Sequence, residues 1–322
     1  MLVIIRLATF NCENLFARFR FDKDVDPEKA VHDGWLANKV YFYINNETEK
    51  ELTAAAIKAT KADVIALQEI ESLQALKGFR NKYLKNQGYH YAFLIDGNDP
   101  RLIDIGILSR FPIEKIDTHI QEWDNGLHSP LFSRDCLECD LVLPEKKKLR
   151  LFINHFKSMY NPKDKCNGRK ATRDRRLHQA RRVKEIVSEE FPNEEDDKQH
   201  PFAVLGDLND YLQTDSQGYT SIGELVNWNR VENIVARLPK KDQWTHFYEG
   251  NKSCGFGKNY KQLDYILLSR PLADSNTAAE IKIIREGLPK SADKYKGHRF
   301  GNVGMHKPKA SDHCPVVVQL QL

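Results

Sequence analysis

The chain has 322 residues, of which 41% are hydrophobic and 29% charged, so a sizeable core is possible and a disordered or fibrous chain is excluded. Lys plus Arg total 49 against 45 Asp plus Glu, and the net charge of +4 neither demands nor excludes a polyanionic partner. No apolar run approaches the roughly 18 residues of a membrane-spanning helix.

In chain order, the N-terminal apolar segment lacks a basic flank and runs straight into a polar cluster at Asn11. It reads as a first strand, Leu7–Phe10, and not as a signal peptide. A helix follows over Glu51–Thr60, with Leu52, Ala55, Ala56 and Ala59 at helical spacing. Short apolar strands are then expected at Val64–Leu67, Ile105–Leu108, Leu137–Val142, Leu149–Ile153, Phe202–Leu205, Tyr265–Leu268 and Pro315–Leu320. The segments Leu137–Leu143 and Leu149–Phe156, joined by Pro144-Glu-Lys-Lys-Lys, read as a hairpin. Arg175–Ser188 repeats apolar residues at helical spacing, and the acidic segment Phe191–Gln199 reads as a solvated loop. Strands outnumber helices, which favours an α/β fold of sheet packed on sheet with helices outside. No low-complexity linker or repeat divides the chain, so a single domain over 1–322 is expected.

The six cysteines, Cys12, Cys136, Cys139, Cys166, Cys254 and Cys314, are scattered. Cys136 and Cys139 fall on one strand, where residues three apart point to opposite faces, which argues against a zinc pair. No spacing motivates a disulfide, so about six free thiols are expected on denatured, unreduced protein.

Polar residues cluster where apolar strands end or begin. The segments are Asn11-Cys-Glu13-Asn14, Gln68-Glu69, Asn154-His155-Phe-Lys157, Gly206-Asp207-Leu-Asn209, Gln262-Leu-Asp264 and Ser311-Asp312-His313. A carboxylate or imidazole beside a buried strand is expensive to desolvate unless paired or bound to a metal. Each segment alone has an ordinary reading: a turn cap for Asn11 or Asn14, an Asx turn for Asp207-x-Asn209, a satisfied structural histidine for His155. Six drawn from the whole chain point to one convergent site. Asn11, Glu69 and Asp312 offer oxygen ligands suited to Mg²⁺, Mn²⁺ or Ca²⁺. His155 and His313 suit phosphate contact or proton transfer, and Asp264 suits fixing a histidine tautomer.

This ordered set resembles the endonuclease/exonuclease/phosphatase superfamily, and the match runs from residue 7 to residue 320. Further motifs, Asn11-Cys-Glu13-Asn14-Leu-Phe, His155-Phe-Lys-Ser, Arg176-Leu-His-Gln179-Ala and Trp244-Thr-His-Phe-Tyr, are similar to those of bacterial nucleases of the secreted type. The resemblance implies a four-layer α/β/β/α sandwich of two mixed sheets. It implies Glu69, Asn11 and Asp312 as ligands of Mg²⁺, with Mn²⁺ or Ca²⁺ as alternatives. Asp207 would orient the attacking water, Asn209 would hold the phosphate, and His313 paired with Asp264 would stabilise the transition state. His155 would contact the same phosphate. Lys157, Arg176 and Asn14 would contact substrate.

The expected activity is hydrolysis of DNA, and of RNA as a second polymer, by water without a covalent intermediate. The alternative is a phosphatase or phosphodiesterase acting on inositol phosphate or phospholipid headgroups. A catalytically silent binding scaffold is disfavoured by the intact ligand set. The stretch Lys163–Lys184 carries ten Lys or Arg against two Asp, which suits a phosphate backbone. The protein is expected to act as a monomer without stable membrane association. As the chain stands it reads as cytoplasmic, and as extracellular if a signal peptide has been removed.

Overall fold

The computed structural model describes residues 3–15, 47–99, 101, 103–214 and 218–322. Phe16, the end of the first motif, lies outside the described residues.

The strands are β1 (Ile4–Leu15), β2 (Val64–Ile70), β3 (Tyr91–Ile95), β4 (Asp104–Ser109), β5 (Ile113–Asp117), β6 (Trp123–Asp124), β7 (Ser129–Pro130) and β8 (Cys136–Val142). They continue as β9 (Lys148–His155), β10 (Phe202–Asp207), β11 (Val231–Asn233), β12 (His246–Tyr248), β13 (Asn259–Lys261), β14 (Asp264–Ser269), β15 (Ile281–Ile283) and β16 (Val316–Gln321). Two six-stranded sheets form, in the orders β15-β16-β1-β2-β4-β3 and β11-β14-β10-β9-β8-β5. Each contains one central parallel pair, β1 with β2 and β9 with β10, among antiparallel neighbours. Both sheets are therefore mixed, as the sequence resemblance implied.

Side-chain alternation builds the layers. Ile5 and Leu7 of β1, Leu149, Leu151 and Ile153 of β9, Ala203 and Leu205 of β10, and Ile266 and Leu268 of β14 share one core between the sheets. The alternate residues face outward. Ala8 and Phe10 pack with Leu52, Ala56 and Ile57 of helix α1 (Glu47–Thr60) and with Leu76 and Phe79 of α2 (Leu73–Tyr83). Phe152, Phe202, Val204, Tyr265 and Leu267 pack with Ala180, Val183, Ile186 and Val187 of α3 (Arg173–Glu190). Three apolar layers between two sheets and the two flanking layers of helices make an α/β/β/α sandwich. Cys136 lies in the outer layer and Cys139 in the central one, on opposite faces of β8. Among the described residues no helix is long and apolar enough to cross a membrane.

Two expectations need correction. Phe191–Gln199 is not all loop: Glu194–Gln199 is helical, because Asn193 accepts from the backbone N–H groups of Glu195 and Asp196 while Asp196 reaches back to the Asn193 N–H. The buried Asp197 is then paired with Arg230. Nor are all cysteines free. Cys166 and Cys254 form a disulfide across 88 residues, with Cα atoms 5.3 Å apart. Sequence spacing carries no sign of it, because the two loops are remote in sequence and are brought together only by the fold. Cys12, Cys136, Cys139 and Cys314 are free and buried. Thiol titration of denatured, unreduced protein is therefore expected to find four thiols, rising to six after reduction. Six before reduction would refute the bridge.

Candidate active site

The site is the polar continuation of the central core. Along β9, β10 and β14 the inward positions run Leu149, Leu151, Ile153, then His155; Ala203, Leu205, then Asp207; and Ile266, Leu268 backed by Asp264. Strand register sets His155 opposite Asp207 and Asp207 opposite Asp264. Three neighbouring strands thus present histidine, carboxylate and carboxylate in one row. Asn11 occupies the matching inward position at the end of β1. Parallel strands here end together, and the edge formed by their carboxyl ends is where α/β sheets commonly bind ligands.

Glu69 breaks this pattern. Alternation alone would turn it outward with Leu67. Instead its backbone is left-handed, with φ +64°, and the pairing of β2 with β4 shifts register between Gln68 and Ile70. The irregularity turns the carboxylate toward Asn11, whose Nδ2 donates to Glu69 Oε1 at 3.4 Å and to Asp207 Oδ2 at 3.0 Å. Glu13, Asn14 and Asn209 are also left-handed. Such strain in residues other than glycine persists where surrounding structure enforces it, and it gathers at functional sites. Gly206 must be glycine for a related reason. Its φ is +132°, and a Cβ there would lie 1.9 Å from the Asn154 carbonyl oxygen on β9.

Asp207 is the hub. Asn209 donates to it from its backbone N–H at 2.8 Å and from Nδ2 at 2.9 Å, and the same Nδ2 donates to the Phe156 carbonyl at 3.0 Å. His155 Nε2 lies 3.6 Å from Asp207 Oδ2, and His313 Nε2 approaches the same oxygen to 3.9 Å. His313 Nδ1 bonds Asp264 Oδ2 at 2.9 Å, and Thr245 Oγ1 donates to that oxygen at 2.7 Å. Ser311 Oγ ties the last segment to the first by donating to the Asn11 carbonyl at 2.8 Å. Asp312 follows, its backbone N–H donating to Glu13 Oε2, which also meets Lys309 Nζ at 2.7 Å.

Burial pushes the Asp207 carboxyl up to about 7, His313 pulling the other way. Burial, then repulsion from Asp312, also raises Glu69. Burial disfavours the His313 imidazolium, yet Asp264 and then Asp207 outweigh it and raise that histidine well above its ordinary value. His155 goes the other way. Burial and the nearby Arg134 drive it well below the ordinary value, so it is neutral at pH 7. Its Nδ1 has no hydrogen-bond partner among the described residues. Two imidazoles of opposite charge state thus face one carboxylate, and environments that split titrations in this way mark acid–base sites.

Asn11, Glu69, His155, Asp207, Asn209, Asp264, Asp312 and His313 are therefore brought together. The three proposed substrate contacts are not all at hand. Arg176 is fully buried and braces the chain, donating to the carbonyls of Lys157 and Arg169 and to Thr172 Oγ1. Assigning it to substrate contact was incorrect, since its motif position is filled by a structural guanidinium. Lys157 is half-buried, its ammonium turned onto the carbonyls of Ser158 and Tyr160. Asn14 sits at the rim at the end of β1. The basic stretch is likewise largely committed. Arg169 pairs with Asp210, Arg181 with Glu224, Arg182 with Glu122 and Glu189, and Arg175 donates to Ser129 and Pro130. These arginines hold α3 and its flanking loop in place, and they do not form a free track for a phosphate backbone.

Sequence reasoning missed Thr245, His246 and Arg134. The first two stand in the Trp244-Thr-His-Phe-Tyr motif, a short distance before Asp264, and that position was the available signal. Arg134 offered none. It is buried, donates to Asp99 Oδ2 at 3.2 Å and to the Phe156 carbonyl at 2.6 Å, and contributes a fixed charge beside His155.

A sandwich of two mixed sheets with carboxylates, amides and histidines at the strand ends is the architecture of phosphoester hydrolases. The chain belongs to the Endonuclease/Exonuclease/phosphatase family, whose model matches residues 8–313. No curated protein sequence matches it. Solved structures share the fold. TDP2 from D. rerio complexed with single strand DNA product is 14% identical, covering 98% of each chain with a TM-score of 0.59. Beta toxin from Staphylococcus aureus is 13% identical over 98% of this chain and 99% of its own, with a TM-score of 0.60. A mannosyl-6-phosphatase from Bacteroides thetaiotaomicron is 15% identical over 99% of both, with a TM-score of 0.54. At these identities the likeness is one of fold.

Proposed function

We propose that this protein is a divalent-metal-dependent phosphodiesterase that hydrolyses nucleic acid, DNA first and RNA second. The observation that carries the reading is the approach of two imidazole nitrogens to one oxygen of Asp207, 3.6 Å from His155 and 3.9 Å from His313. Both separations are too long for hydrogen bonds, so two imidazole nitrogens converge on the carboxylate without being satisfied by it, which leaves them to bind a phosphoryl oxygen placed beside Asp207.

The donor set fits a hard cation. Glu69 and Asp312 offer carboxylate oxygens and Asn11 an amide oxygen, which also accepts from the Glu13 N–H at 3.0 Å. This is the sparse protein set that Mg²⁺ takes. These three would hold the ion, which when bound supplies Lewis-acid neutralisation of phosphoryl charge. The chain's own residues do the rest. Asp207 orients water. Asn209, both of whose Nδ2 hydrogens go to Asp207 and the Phe156 carbonyl, positions that carboxylate in place of the phosphate contact its motif suggested. The His313 imidazolium, held by Asp264, stabilises charge in the transition state. Neutral His155 binds the phosphate from the side of β9. The TDP2 neighbour with its single strand DNA product supports a nucleic-acid substrate. The mannosyl-6-phosphatase keeps a small phosphoester as the rival.

An oxidising compartment is part of the proposal. Its support is the Cys166–Cys254 bridge, which joins two surface loops, as cystines do in proteins that work outside the cytosol.

The test is hydrolysis of plasmid DNA, a single-stranded oligonucleotide, total RNA and inositol polyphosphates, each with Mg²⁺, Mn²⁺, Ca²⁺ or EDTA. Polymer cleavage is expected with Mg²⁺ or Mn²⁺ and not with EDTA. It should exceed phosphate release from inositol polyphosphate by at least about a hundredfold, since remote contacts favour the larger substrate. Polymer cleavage should also fall as monovalent salt rises. Phosphate release from the small ester alone would move the assignment to a phosphatase.

A further inference from the structure

One imidazole at the site has no role in the reading above. His246 stands on β12, whose hairpin partner β13 leads into Asp264. The same segment is also stitched to the last motif. Phe247 N–H donates to the Asp312 carbonyl at 2.9 Å and Cys314 N–H to the Thr245 carbonyl at 2.7 Å, so His246 faces His313 in a local antiparallel bridge. The two rings lie 4.5 Å apart. This pairing fixes the His246 ring, whose side chain is only 15% exposed, against the Asp312 carboxylate.

The distance is informative. His246 Nε2 lies 3.8 Å from Asp312 Oδ2, beyond hydrogen-bond range. Two donors that each bind one ion at about 2.1 Å stand about 3.4–3.8 Å apart at the roughly 110–130° of a tetrahedral or trigonal shell, and about 3.0 Å apart at the roughly 90° of an octahedral one. His313 Nε2, 4.0 Å from Asp312 Oδ1, completes a nitrogen–oxygen–nitrogen group whose ligand atoms all lie within 4.8 Å of one another. His313 is already held by Asp264 and turned toward Asp207, whereas the His246 imidazole has Asp312 as its nearest carboxylate.

We propose that His246 and Asp312 form a nitrogen–oxygen half-site for a divalent transition-metal ion, for which Mn²⁺ serves as the spectroscopic probe and which Mg²⁺ occupies poorly. The inference rests on the reading of Asp312 as a metal ligand and adds to it a residue that selects the ion. Imidazole suits Zn²⁺, Fe²⁺ and the other later first-row ions, with Mn²⁺ at the weak end of that series, whereas Mg²⁺ takes oxygen ligands and retains its waters. Water and phosphate oxygens complete the coordination, as they do where a protein supplies few ligands.

The test measures Mn²⁺ binding to substrate-free protein by the electron paramagnetic resonance signal of the free ion, with Mg²⁺ affinity obtained by competition. His246→Gln is expected to weaken Mn²⁺ binding by roughly tenfold or more, the scale of loss when a metal-site residue is removed, while Mg²⁺ affinity stays within about twofold. His246→Asp, which restores a donor but makes it an oxygen, should lower the Mn²⁺-to-Mg²⁺ preference without abolishing binding. On the unaltered protein, Mn²⁺ should show nitrogen coupling in a spin-echo measurement, and that coupling should weaken in His246→Gln. Unchanged Mn²⁺ affinity in His246→Gln, or a wild-type signal without nitrogen coupling, overturns the proposal. Glu69→Gln separates the two levels. If it abolishes ion binding while His246→Gln changes nothing, only the half-site fails. If Glu69→Gln and Asp312→Asn both leave ion binding intact, the metal reading itself fails and takes the half-site with it.

Discussion

Glu69→Gln is expected to lower phosphodiester hydrolysis by roughly two to four orders of magnitude, the range spanned by several kcal/mol of lost charge stabilisation. The same change should leave the metal-free protein as stable as wild type or slightly more so. The two halves of this expectation have one cause. Glu69 is held by a left-handed backbone at a register shift, with burial and Asp312 both opposing its charge. Among the described residues its close contacts are Asn11 Nδ2 at 3.4 Å and His155 Nε2 at 3.9 Å, with His155 held neutral, while His313 and Arg134 favour the Glu69 charge without outweighing burial. A carboxylate in that setting is a liability without an ion and a ligand with one. Glutamine preserves shape and the contact with Asn11 while removing the liability. Melting curves provide the check. Wild type should gain thermal stability on adding Mg²⁺ or Mn²⁺, by about 2.7 kcal/mol when the ion stands at a hundredfold excess over its Kd. The variant should gain little. Equal activity at saturating ion, or an equal metal-induced shift in melting, would show that Glu69 is not the ligand.

The parts of this site that were legible in sequence are those written as contrast within a short window. Val64-Ile-Ala-Leu followed by Gln68-Glu69, or Ala203-Val-Leu-Gly followed by Asp207, sets a charge directly against a buried strand, and desolvation makes that juxtaposition informative. Recurrence at strand ends made His155, Asp207 and Asp264 readable as members of one site, while the shared inward face came only with the strand register. The illegible parts depend on packing between distant segments. Arg134 is an ordinary arginine until the sheets close around it. Arg176 sits in a motif whose basic residue suggests substrate contact, yet only the folded chain shows its guanidinium turned inward onto backbone carbonyls. The charge count of Lys163–Lys184 suggested a phosphate track because acids remote in sequence, Asp210, Glu224 and Glu122, do not appear in the same window. Cys166 and Cys254 are hidden for the same reason. The acidic helix Glu194–Gln199 was misread differently, by weighing its charge above the local cap at Asn193.

The largest coupled effect is expected at His313 and Asp264. His313→Ala and Asp264→Asn should each reduce turnover by roughly 10²–10⁴-fold, the contribution usual for a positioned proton-transfer group. The double variant should be little worse than His313→Ala alone. The geometry gives the reason. Asp264 reaches the chemistry through His313 Nδ1, at 2.9 Å, and its other close contact, Thr245 Oγ1 at 2.7 Å, is a brace on the same carboxylate. Once the imidazole is gone, the carboxylate has nothing left to orient, and residues that act as a unit lose activity non-additively. The pH profile adds a readout that a purely structural role would not move. Burial opposes the imidazolium, and Asp264 is the foremost group that outweighs it, raising His313 well above the ordinary histidine value. A raised value keeps the charged form populated as pH climbs, so wild-type activity should persist to higher pH before the imidazolium is lost. Asp264→Asn withdraws that support, and the alkaline limb of kcat against pH should move toward acid. His155 should behave otherwise, because it is neutral already and lacks a carboxylate on Nδ1. Its coupling to His313 should run only through the Asp207 oxygen that both approach, giving partial and not complete non-additivity in a His155→Gln, His313→Ala cycle. Simple multiplication of the His313 and Asp264 losses, with no shift of the alkaline limb, would sever the pair and leave Asp264 as an anchor for β14 alone.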